Sequence, residues 1–100
     1  MKAIYLVRFG KAEDAFEVRE VPLPEPRDHE VRIKTEAFGL NFADISARNG
    51  KYRDCPPLPC VIGYDVVGRV DAVGSKVTNV KTGYRVAGLT RFGGYAEYVV

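Results

Sequence analysis

Glycine and proline interrupt this chain at intervals of about ten residues, and that spacing restricts it to short elements. Residues 2–8 and 15–21 are rich in Val, Ile, Tyr and Phe and read as strands. The segment 9–14 between them holds Gly10 and Asp14 and suits a hairpin connection. Pro22-Leu23-Pro24-Glu25-Pro26 cannot continue a central strand, because proline has no ladder donor; an extended crossing is expected. Residues 31–37 alternate with period two: Val31, Ile33, Thr35 and Ala37 on one face, Arg32, Lys34 and Glu36 on the other. Further strands are expected at 64–73, 84–89 and 95–100, with a turn over 74–79 and a Pro-rich loop over 51–60. One short helix of about two turns fits residues 41–50, with Asn41 as N-cap, Asp44 in the first turn and Gly50 at the end. Many short strands point to a mainly β fold, a barrel or a sandwich, carrying one or two short helices.

One domain is expected from 100 residues. The charged share is too balanced and the apolar share too large for a disordered chain. The net charge of +2 is scattered, with no Lys/Arg block, so neither nucleic acid nor a membrane surface is an expected partner. No apolar run is long enough to span a bilayer, and the first residues lack the pattern of a signal peptide. Cys55 and Cys60, with no secretory signal, suggest reduced thiols in the cytoplasm. A metal or redox pair there needs partners the chain lacks, so free thiols are expected. His29, the single histidine, falls in a polar turn, and Gly93-Gly94 reads as turn geometry before the last strand.

Several stretches, in order and at fixed spacing, carry a family resemblance. They are Gly39-Leu40-Asn41-Phe42-Ala43-Asp44, Pro57-Leu58-Pro59, Gly63-Tyr64-Asp65-Val66-Val67-Gly68, then Gly74, Val77 and Lys81-Thr82-Gly83-Tyr84-Arg85-Val86. Together they resemble the N-terminal catalytic domain of medium-chain dehydrogenases/reductases. The resemblance runs from Met1-Lys2-Ala3 to Gly93-Gly94-Tyr95-Ala96-Glu97-Tyr98 and implies a GroES-like, partly open β-barrel over residues 1–100. Most relatives carry an Asp where this chain has Tyr84, which puts the stability of that turn in question.

The departures carry the functional reading. Zinc-dependent members place Cys, His and Glu where this chain has Asn41, Tyr64 and Asp65. An amide and a phenol are poor zinc ligands, and the four cysteines of the structural zinc lobe are also missing, so no metal is expected. The resemblance to zinc-free quinone reductases implies NADPH as cofactor, a quinone or enone as acceptor, direct hydride transfer without a catalytic side chain, and a homodimer at full length. It implies cofactor-binding roles for Asn41 and Tyr52, and an acceptor cleft near Phe42, Ile45, Tyr52 and Tyr64. Bland roles stay open beside these: Asn41 as a plain N-cap, Tyr52 and Tyr64 as core or rim rings, Asp65 as a hydrogen-bonded structural acid.

No two glycines stand two residues apart, so the Gly-x-Gly-x-x-Gly turn of a dinucleotide fold is missing, and Gly88 to Gly93 is not followed by the Lys of a P-loop. The Rossmann cofactor domain is therefore expected outside this chain, and the chain alone is expected to be inactive. Two non-enzymatic alternatives stand against this reading. One is a GroES-like module, since Gly68-Arg69-Val70-Asp71-Ala72-Val73-Gly74 resembles a co-chaperonin pattern, although the long mobile loop of a co-chaperonin is missing. The other is a vesicle-protein-like relative with a structural or interaction role, which Gly39 to Asp44 fits nearly as well.

Overall fold

The computed structural model describes residues 1–100. It contains β1 (Lys2–Leu6), α1 (Ala12–Ala15), β2 (Phe16–Glu20), β3 (Val31–Phe38), α2 (Phe42–Arg48), β4 (Asp65–Val73), β5 (Arg85–Leu89) and β6 (Tyr98–Val99). The fold is mainly β, with two sheets that do not close into a full barrel. β1 and β2 form an antiparallel pair, and the second sheet runs β5-β4-β3-β6, antiparallel throughout.

The expected hairpin connection contains α1, a single turn that buries Ala15 in the core beside Leu6. Lys11, Ala12, Glu13 and Ala15 all favour helix, and the turn is too short to show a periodic pattern. The proline run is extended, as its chemistry requires. Arg32 holds it to the sheet: Nη1 donates to the Pro24 carbonyl at 3.1 Å, while Nε and Nη2 grip both Asp71 oxygens at 2.8 and 3.3 Å.

That grip depends on a break in register. Arg32 pairs with Ala72 but Ile33 with Val70, so Asp71 is the extra residue of a bulge, and a second bulge leaves Glu36 unpaired between Thr35 and Ala37. The alternation expected over 31–37 therefore fails at both ends. Arg32 turns in toward Asp71, and Ala37 is exposed.

The expected strand 95–100 is reduced to β6 and one bridge, Ala3 with Ala96. Residues 95–97 act as a stitch between the sheets. Ile4 N–H donates to the Tyr95 carbonyl at 2.9 Å and Glu97 N–H to the Lys2 carbonyl at 3.1 Å. Thr35 N–H donates to the Glu97 carbonyl at 2.8 Å. Two apolar clusters lie on either side of this seam. Leu6, Ala15, Ala47, Cys60, Ile62 and Tyr95 form one, and Ala3, Ile33, Val66, Ala96 and Val99 form the other.

Candidate functional site

α2 begins where sequence chemistry places it. Asn41 is the N-cap, with extended φ −117° and ψ 157°, and the Asp44 carboxylate accepts the Asn41 N–H at 3.0 Å. Gly50, at φ +73°, follows the last turn in the left-handed conformation that glycine adopts without penalty. Asp44 is only 4% exposed, and its Oδ2 also accepts the Tyr95 hydroxyl at 2.8 Å. Burial, and then the bond to Asp44, pushes the Tyr95 phenol well above its ordinary value.

The Asn41 side chain reaches across to β4. Its Nδ2 donates to Asp65 Oδ2 at 2.9 Å, and Gly39 N–H donates to Asp65 Oδ1 at 2.8 Å. One carboxylate thus clamps the segment before α2 at two points. A β-carbon at residue 39 would collide with Asp65 Oδ1, so glycine there is a requirement of the clamp.

Asn41, Phe42 and Ile45 share one groove of about 440 Å³, together with Phe16, Leu40 and Tyr95. Phe42 is 82% exposed and Leu40 80%, so the groove's outer wall is apolar and open. Tyr52 and Tyr64 lie elsewhere, in an aromatic cluster with Phe92. The ring centroids are 6.1 Å apart for Tyr52–Tyr64, 5.4 Å for Tyr64–Phe92 and 6.5 Å for Tyr52–Phe92. The Tyr64 hydroxyl is buried without a hydrogen-bond partner, and burial raises its proton affinity, with Tyr52 and Asp44 adding to the effect. Tyr64, just before β4, meets the aromatic cluster, while Asp65, the first residue of β4, meets Asn41.

The four residues expected to line the acceptor cleft thus form two pairs, Phe42 with Ile45 and Tyr52 with Tyr64. Sequence reasoning missed Tyr95 and Phe92. Both reach these places through long-range contacts that no local pattern encodes. It left Asp65 open between two readings, and its two hydrogen bonds match the structural one.

Known proteins resemble this chain along its length. Residues 27–100 match the family of the alcohol dehydrogenase GroES-like domain. The chain is 42% identical over 101 residues to a quinone oxidoreductase of Lama guanicoe, covering 100% of this chain and 31% of that protein. It superposes on the human synaptic vesicle membrane protein VAT-1 homolog-like protein with TM-score 0.93 and 34% identity, over 99% of this chain and 31% of the other. It superposes on Escherichia coli quinone oxidoreductase complexed with NADPH with TM-score 0.89 and 31% identity, over 99% of this chain and 30% of the other. The chain therefore spans about a third of the length of these relatives. Its strand order, glycine frame and Asn41–Asp65 clamp sit on a fold shared along its whole length, and the chain belongs to the alcohol dehydrogenase GroES-like domain family within the medium-chain dehydrogenase/reductase superfamily.

Proposed function

We propose that this chain is the catalytic-domain part of a zinc-independent reductase that passes a hydride from NADPH to a quinone or enone. The observation that carries the proposal is the Asn41–Asp65 bond at 2.9 Å, which stands where a metal-dependent relative holds ligands. Asn41, Tyr64 and Asp65 do not make a zinc donor set, because neither an amide nor a protonated phenol offers a good lone pair to the ion. Without a Lewis acid, the acceptor must already be electrophilic, as quinones and enones are. The whole-length likeness to quinone oxidoreductases, one of them complexed with NADPH, supports the same reading.

Bound NADPH supplies the hydride. The chain's own residues do the placing. Asp65 fixes the Asn41 side chain in the lining of the groove, and Asn41 would help to hold the nicotinamide. Phe42, Ile45 and Leu40 give the acceptor an apolar wall to pack against. Tyr52, in the aromatic cluster with Tyr64 and Phe92, would add a second contact to the cofactor. The full-length protein works in the cytoplasm as a homodimer in this proposal, with a second domain holding most of the dinucleotide. Quinone-dependent oxidation of NADPH by the full-length protein is the test, and inactivity with every quinone and enone tried would overturn it.

The VAT-1 homolog-like likeness favours a second reading, an interaction module without catalysis. The same assay separates the two, since only the reductase consumes NADPH.

A further inference from the structure

Away from the groove, the Pro-rich loop brings two thiols together. Cys55 Sγ and Cys60 Sγ are 4.0 Å apart, and both are free. Cys60 is buried and pinned: it exchanges two backbone hydrogen bonds with Leu6 in β1, at 2.8 and 3.1 Å. Cys55 is half-buried on a turn closed by its N–H bond to the Tyr52 carbonyl at 3.2 Å. Pro56, Pro57 and Pro59 stiffen the segment between them, so little backbone freedom remains to pull the sulfurs apart. No third His, Cys, Asp or Glu joins the pair, which leaves a two-sulfur site rather than a metal centre.

We propose that Cys55 and Cys60 form a dithiol modification site that a peroxide closes into an intramolecular disulfide. A sulfur–sulfur bond measures about 2.05 Å, so the sulfurs need to approach by about 2 Å, within reach of a rotation about the Cys55 side chain. Cys55 is the accessible thiol and reacts first. Its thiolate attacks one peroxide oxygen, the O–O bond breaks, hydroxide leaves and takes up a proton as water, and Cys55 becomes a sulfenic acid. The Cys60 sulfur then attacks the Cys55 sulfur, the S–O bond breaks, and the Cys60 proton leaves with that oxygen as a second water. Two thiols and one hydrogen peroxide thus yield one disulfide and two waters. Burial, reinforced by Cys55, pushes the Cys60 thiol up to about 11, so Cys60 is not the thiol that meets the peroxide first. The inference is independent of the proposed reductase reaction.

Intact-mass spectrometry of the protein after hydrogen peroxide treatment tests it. The expected result is loss of the mass of two hydrogen atoms, no titratable thiol after unfolding, monomer mobility on a non-reducing gel, and full reversal by dithiothreitol. The Cys60→Ala variant should stop at a sulfenic acid on Cys55 that dimedone traps. Retention of both thiols, over-oxidation of Cys55 with Cys60 still free, or disulfide-linked dimers would each overturn the proposal. The wild-type measurements decide the matter even if the variant fails to fold.

Discussion

Asp65 sets where Asn41 points, and its substitution separates positioning from packing. Asp65→Ala removes two charge-assisted bonds and leaves the Gly39 N–H and the Asn41 amide without that acceptor. The expected loss of stability is about 1–3 kcal/mol by urea unfolding, toward the low end because the site is partly wet. In the proposed full-length reductase the KM for NADPH should rise with it. Asp65→Asn keeps one acceptor oxygen and should fall between wild type and alanine in both measurements. A second residue-level expectation concerns alkali. The buried Cys60 thiol is raised from 9.0 to about 11, and the buried Tyr95 phenol is raised above the ordinary value of about 10. Well below pH 9.0 both groups are protonated whether the chain is folded or not, so stability is at its full value. As pH rises, the unfolded chain releases these protons first, and stability must fall through pH 11 and beyond. Tyr95→Phe should shrink the part of that decline that begins at about pH 10, with the raised Tyr64 phenol supplying the remainder, while costing about 1–2 kcal/mol at neutral pH through the lost Asp44 bond.

At the scale of elements, the start of α2 is fastened to the far end of the chain through one side chain. Asp44 joins the helix start to Tyr95, and Tyr95 stacks its ring on Phe38 with centroids 4.8 Å apart. Asp44→Ala should therefore cost about 2–3 kcal/mol. Hydrogen exchange should show α2 losing protection before β3 and β4 do. These elements also show what the sequence made legible. α2 was readable because Asn41, Asp44 and Gly50 are local signals acting over a few residues. β3 was readable in its middle, where Ile33 and Lys34 alternate, but not at its ends. The bulges at Asp71 and Glu36 answer to the partner strand and to the Arg32 ion pair, neither of which the β3 sequence contains. The last strand shrank for a similar reason: residues 95–97 spend their backbone groups on two different sheets rather than on one ladder. The candidate site divides in the same way. Asn41, Phe42 and Ile45 lie within one helical turn and were found together, whereas Phe92 and Tyr95 arrive from the far end of the chain.

For the whole molecule, the seam at residues 95–97 decides whether two small sheets behave as one fold. A two-stranded sheet is marginal alone, so β1–β2 depends on what joins it to β3. The joining bonds come largely from the backbone: Ile4 to Tyr95, Glu97 to Lys2 and Thr35 to Glu97. The buried side chains of Tyr95, Ala96 and Val99 supply the apolar contact on both sides. Removing a buried aromatic residue by itself costs about 3–5 kcal/mol, against a total stability of about 5–15 kcal/mol for a domain of this kind. A chain cut after Phe92 loses all of these groups at once, and it should show no cooperative urea transition at 25 °C. The Glu97 side chain supplies only one exposed bond, from Lys2 N–H to Oε2 at 2.8 Å. Glu97→Ala keeps every backbone bond of the seam and should cost no more than about 0.5–1.5 kcal/mol while leaving the transition cooperative. Urea unfolding followed by far-ultraviolet circular dichroism distinguishes the two. A cooperative transition in the truncated chain, or its loss in Glu97→Ala, would show that the sheets are held together by something other than the backbone of this seam.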